Sequence, residues 1–139
     1  MKKKTVLILL LVSFINTVFS QRETDNWYFG VNAGLKFTSN KVKAVIDGAM
    51  VSEDGTASLS DIYGNLLLYT NGKTIWNSNH QIMENGDDLF GEPSNTQTSI
   101  IIPKPDRPGN YYVFYTKLKS EGIYSAGLYY SEILIDSNN

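Results

Sequence analysis

The stretch "SDIYGNLLLYTNGKTIWNSNH", Ser60 to His80, alternates turn residues with apolar runs and carries the chain's only histidine. Asn71-Gly72 stands between two β-rich runs, and Asn-Gly readily takes the two positive-φ positions of a type I′ hairpin turn. "SDIYGNLL" reads as a slightly longer turn of the same purpose. Together they predict a three-stranded antiparallel meander from Ser58 to Asn77. Leu66-Leu67-Leu68-Tyr69 places apolar side chains on both faces of its strand, so that strand should be covered on both sides. "TSIIIP" (Thr98 to Pro103) and "YYVFY" (Tyr111 to Tyr115) follow the same pattern. Sheets stacked face to face satisfy all three.

The same grammar runs along the rest of the chain. After Phe19 no segment sustains a 3.6-residue apolar period; short apolar runs alternate with Gly, Asn, Asp, Ser and Pro. The predicted strands are Trp27–Val31, Leu35–Thr38, Val42–Ile46, Thr56–Ser60, Leu66–Thr70, Thr74–Asn77, Thr98–Ile102, Tyr111–Lys117 and Leu128–Ile135. Nine tyrosines and two tryptophans favour strand over helix. The fold class expected is all-β, built of antiparallel meanders.

An internal echo refines this. "GNLLLYT" (Gly64 to Thr70) and "GNYYVFYT" (Gly109 to Thr116) share a Gly-Asn turn, an apolar run and a closing Tyr-Thr, with the glycines 45 residues apart. A β unit repeating at roughly 40–50 residues points to propeller blades, each a four-stranded sheet. Blade-like units are expected at about residues 55–96 and 97–139, inside one domain spanning 21–139. Propellers close with about four to eight blades. An incomplete propeller of about two to three blades would leave the apolar face of its last blade exposed. The chain is therefore expected to be the front part of a longer protein, with subunits that complete one another as the alternative.

The amino terminus reads as an export signal. Lys2, Lys3 and Lys4 precede the apolar run Thr5 to Phe19, and Val18 and Ser20 fit a cleavage site before Gln21. The run is too short and too interrupted by Ser13, Asn16 and Thr17 for a spanning helix, which needs ~20 apolar residues. No later segment is apolar enough to form a transmembrane helix, and the expected location is secreted or cell-surface. Removal of residues 1–20 leaves 119, and takes three of the 12 basic but none of the 14 acidic residues. The formal charge falls from −2 to −5, which argues against nucleic acid as a partner. The absence of cysteine removes disulfides, thiolate catalysis and cysteine-based metal sites.

Candidate chemistry is sparse. His80 could serve as a general base with Asp61 or Asp87 across a fold, but reads first as a turn histidine in "NSNHQ". Glu53-Asp54 and Asp87-Asp88 read as solvated turn acids. Asn85, Asp87 and Asp88 in "ENGDD" are weak calcium candidates, since the closing Glu of an EF-hand loop is missing. Trp27, Tyr28 and Trp76 could build a sugar-stacking platform, although most such aromatics belong to the core. Neither a nucleophile elbow nor a glycine-rich phosphate loop is present, and no cofactor is expected.

Four segments in order, "NWYFGVNAGLKF", "DGTASLSDIYGNLLLYTNGKTIWNSNHQIM", "SNTQTSIIIPKP" and "NYYVFYT", resemble a known family. They look like the amino-terminal β-propeller region of large secreted proteins of bacteria with a type IX secretion system. Such proteins are often described as gliding-motility-associated or type B sorting-domain proteins. The resemblance covers roughly Asn26 to Ile135 and implies a secreted or cell-surface propeller followed by adhesive modules and a sorting domain. It assigns no catalytic residue. The expected function is an exported, non-catalytic binding or adhesion module contacting a glycan or a cell-surface protein. The alternatives are a propeller glycoside hydrolase working through acids such as Asp54, Asp61 or Asp87, and a structural segment with no ligand of its own.

Overall fold

The computed structural model describes residues 22–117 and 127–135; the expected signal peptide lies outside the described residues. Nine strands occur in chain order: β1 Asn26–Phe29, β2 Ala33–Phe37, β3 Val42–Val45, β4 Ala57–Ser60, β5 Leu66–Thr70, β6 Ile75–Asn77, β7 Ser99–Pro103, β8 Asn110–Lys117 and β9 Gly127–Leu134. Each predicted strand overlaps one of these, and the described residues contain no helix. The strands form three antiparallel meanders with orders β1-β2-β3, β4-β5-β6 and β7-β8-β9, hereafter sheets 1, 2 and 3.

The sheets stack, and sheet 2 is the middle layer. Alternation along β5 sends Tyr69 to one side and Leu68 to the other, and both are fully buried. Tyr69 and its cross-strand partner Trp76 pack with Tyr28 and Met50 on the sheet 1 side. Leu68 and Ile75 pack with Val113 and Tyr115 on the sheet 3 side. The Leu-rich run is therefore covered on both faces, as its pattern required.

Sheet 3 departs from that expectation. Val113 and Tyr115 face sheet 2, but Ile100, Leu128, Tyr130 and Leu134 remain 48%, 68%, 63% and 61% exposed. Phe114 and Tyr112 lie among them, with Tyr130 5.9 Å and 5.8 Å away by ring centroid. "TSIIIP" and "YYVFY" carry apolar residues on both faces, but no described residues supply a layer beyond the outer one.

The Asn71-Gly72 turn also differs in type. Only Gly72 has positive φ (83°), and the loop between Thr70 and Ile75 holds four residues rather than two. Asn71 uses its side chain instead: Oδ1 accepts from the N–H groups of Lys73 and Thr74, and Nδ2 donates to the Val51 carbonyl. An Asx-type turn has replaced the type I′ turn. Gly91 then lies against Gly72, donating its N–H to the Gly72 carbonyl at 3.1 Å. A Cβ on Gly91 would fall inside that carbonyl group.

The 45-residue echo is visible in the backbone. Gly64 and Gly109 have φ of 82° and 83°, and each precedes the central strand of its meander. β4 and β7 run side by side in the same direction: the Gly55 N–H donates to the Asn95 carbonyl near their starts, and Ser60 and Pro103 line one cavity at their ends. Sheet 1 runs the other way. Asn26 bonds Ser60 and Tyr28 bonds Ser58, so β1 lies antiparallel beside β4. The sheets are three-stranded, although residues 81–83 continue sheet 2 beyond β6: Asn77 N–H donates to Gln81 O, and Met83 N–H to Ile75 O. Among the described residues no helix is long and apolar enough to cross a membrane.

Candidate functional site

Among the described residues, two of the places where polar groups gather hold residues that the sequence singled out. The first surrounds His80, which occupies a turn with φ 61° and donates its N–H to the Asn77 carbonyl. The sequence suggested Asp61 or Asp87 as partner, but the structure brings Asp47, Tyr69 and Tyr28. Tyr69 Oη accepts from the Ala49 N–H at 3.0 Å and lies 3.1 Å from His80 Nδ1. Either atom can be the donor in that contact, and His80 Nε2 lies 3.9 Å from Asp47 Oδ2. Tyr28 Oη donates to the other Asp47 oxygen at 3.0 Å.

The consequence is structural. Burial, reinforced by Asp47, pushes the Tyr28 phenol far above its ordinary value, and burial raises Tyr69 as well, so both remain protonated donors. The network ties the Asp47–Met50 loop and the His80 turn to the stacked rings of Tyr28, Tyr69 and Trp76, whose successive centroids are 4.5 Å and 5.4 Å apart. Of the three proposed platform aromatics, Tyr28 and Trp76 are core and Trp27 alone is exposed, resting against Phe37 at 5.0 Å.

The second place is a cavity of about 320 Å³ between the β4–β5 and β7–β8 turns. Glu23 and Asp61 stand in its wall, as do Lys104, Arg107 and Tyr111. The apolar lining comes from Leu59, Ile62, Pro103 and Pro108. Asp61 is held by its own turn: Oδ1 accepts from the N–H groups of Tyr63 and Asn65, and Oδ2 from Asn65 Nδ2, each at 2.8 Å. Burial opposes the charged form, but these hydrogen bonds outweigh it and hold the carboxyl below its usual range. Glu23 differs: Oε2 is buried without a hydrogen-bond partner. Burial raises the Tyr111 phenol, with Asp61 and Glu23 adding to it.

The Asp61 geometry predicts a pH effect. A carboxyl whose folded pKa is depressed stabilises the fold above its unfolded value, ~3.9, and that contribution is lost as pH falls toward the folded value. Asp61→Asn should therefore flatten the acid limb of stability below about pH 4. At pH 7 it should cost no more than about 1 kcal/mol, since the turn keeps part of its bonding. Urea titrations from pH 2.5 to 7 check this; identical acid limbs in both proteins would contradict it.

The other candidates stay apart. Asp54 sits in the loop before β4, Asp61 in the β4–β5 turn, and Asp87 in the turn after β6. Asn85 and Asp88 adopt positive φ, 55° and 52°, as turn residues. Among the described residues no three His, Asp or Glu side chains converge as a metal site. Asp47, Glu23 and Tyr111 carried no local signal, because each reaches its site through pairing across tens of residues. Comparison of the chain with protein-family models, curated proteins and solved structures finds no match.

Proposed function

We propose that the chain is an exported, non-catalytic binding or adhesion module, the front part of a larger cell-surface β-propeller. The observation that carries this reading is the repeat of sheets 2 and 3. Two consecutive meanders lie in the same direction with their first strands adjacent, and each enters its central strand through a Gly-Asn turn with the same glycine φ. That is the relation expected of neighbouring blades around an axis. The extension of sheet 2 by residues 81–83 supplies the position of a fourth strand. The uncovered outer face of sheet 3 is where a further blade would pack. The amino-terminal export signature and the four-segment resemblance add an outer address and an adhesive role.

Recognition in this reading occurs at loops, with no reacting group required. Asp61, which lines the cavity between the β4–β5 and β7–β8 turns, has both oxygens committed to its turn, which suits a scaffold better than a proton donor. The test is a glycan array together with a pull-down from cell-surface extract, using the full-length gene product. Capture of a discrete glycan or surface protein is expected. Blank results in both assays would overturn the proposal.

A further inference from the structure

Each end of the three-layer stack presents an apolar sheet face, and sheet 1 carries the counterpart of the exposed face of sheet 3. Alternation along β1 buries Tyr28 against sheet 2 and turns Trp27 and Phe29 the other way. Leu35 stands opposite Trp27, and Val42 opposite Phe37, whose ring centroid is 5.0 Å from that of Trp27. The apolar surface therefore runs across all three strands. Trp27, Phe29 and Val42 are 50%, 38% and 55% exposed, and Ile46, one residue beyond β3, is 87% exposed. Among the described residues neither end face has a layer beyond it.

The two faces match in size. The four sheet 1 residues expose on the order of 460 Å² of side chain, and Ile100, Leu128, Tyr130 and Leu134 on the order of 480 Å², taking ~200 Å² for each fully exposed large residue. Packed together they remove on the order of 940 Å² of apolar surface from water. A standard protein interface of ~1,600 Å², about 60% apolar, contains roughly that much. Pairing either face with a copy of itself would bury a similar area but leave the other face in water, whereas packing one on the other covers both. The chain's own junctions also join unlike faces. The Tyr69 face of sheet 2 meets the Tyr28 face of sheet 1, and its Leu68 face meets Val113 and Tyr115 of sheet 3.

We propose that these faces bind a second copy of this chain, the outer face of sheet 3 on one copy packing on the outer face of sheet 1 on the next. The contact is head-to-tail, so a pair keeps one free face of each kind, and copies add until a ring closes. The proposal goes beyond the binding-module reading, since it assigns a partner to sheet 1 and requires no glycan or surface protein. In a longer propeller of the kind proposed, the same faces would meet further blades instead.

Two blocked variants of the full chain test it by complementation. Leu128→Lys with Tyr130→Lys blocks sheet 3 and leaves sheet 1 open; Val42→Lys with Ile46→Lys does the reverse. Lysine in both variants excludes opposite-charge pairing between the new side chains. Near-ultraviolet circular dichroism checks that each is folded. By sedimentation each variant alone should be a monomer at concentrations where the wild-type chain associates, and an equimolar mixture should form a 1:1 pair that grows no further. Self-association of either folded variant alone, or a mixture that stays monomeric, would overturn the proposal. Trp27 gives a second measurement that needs no variant, because Trp76 is already buried. As the wild-type concentration rises through association, tryptophan emission should move to shorter wavelength and iodide quenching should fall. Association with unchanged emission and quenching would mean that sheet 1 stays in water, and the head-to-tail contact would be wrong. Either failure leaves the binding-module reading standing.

Discussion

Tyr69→Ala is expected to lower the thermal midpoint by about 15 °C, from a loss of roughly 4 kcal/mol. The side chain is fully buried and holds sheets 1 and 2 together in three ways. Its ring lies between those of Tyr28 and Trp76, so truncation removes two stacked contacts and leaves a cavity at the sheet interface. Its hydroxyl accepts from Ala49 and meets His80, so the loop and turn that cover the stack lose their common anchor. Against a total stability of ~5–15 kcal/mol, that is a large share. Tyr69→Phe separates the two contributions: it keeps the stack and should cost only about 1 to 2 kcal/mol for the unpaired groups left behind. Thermal and urea unfolding measure both. A midpoint for Tyr69→Ala within 2 °C of wild type would mean that this stack does not join the sheets.

The strands were legible because their signals are short-range. Gly, Asn and Pro punctuate the chain at the turns themselves, and β5 announces its two-sided burial in four consecutive residues, Leu66 to Tyr69. The Gly64/Gly109 echo survived into the backbone for the same reason, since a positive φ needs only glycine at that point. Details set by distant partners were not legible. Asn71 turns its side chain toward Val51, twenty residues upstream, and the hairpin opens to four residues. The direction of sheet 1 is decided where Asn26 and Tyr28 meet Ser60 and Ser58, which no local pattern encodes. The same holds for His80. Its turn is readable in "NSNHQ", but its neighbour Asp47 arrives from a different sheet connection, displacing the expected Asp61 and Asp87.

The outer face of sheet 3 supplies the second large effect. Ile100, Leu128, Tyr130 and Leu134 expose on the order of 480 Å² of side chain, taking ~200 Å² for each fully exposed large residue. Contiguous apolar patches of ~300–600 Å² are the largest that monomers usually show, and this one is continuous with Phe114 and Tyr112. The isolated chain should therefore self-associate as its concentration rises, because covering this face removes apolar surface from water. Replacing Leu128 and Tyr130 by Lys should convert it to a monomer across the same range, as read by analytical ultracentrifugation. These two side chains point away from Val113 and Tyr115, so the folded core is untouched and surface replacements should stay within about 0.5 kcal/mol. In a longer propeller of the kind proposed, with a further blade on this face, the same pair of lysines should instead cost several kcal/mol, because charge would be buried at a blade junction. The sign of the lysine effect thus distinguishes a face that is meant for solvent from one that waits for a blade. A wild-type chain that remains monomeric at high concentration, together with lysines that are harmless in a longer gene product, would show that nothing packs there.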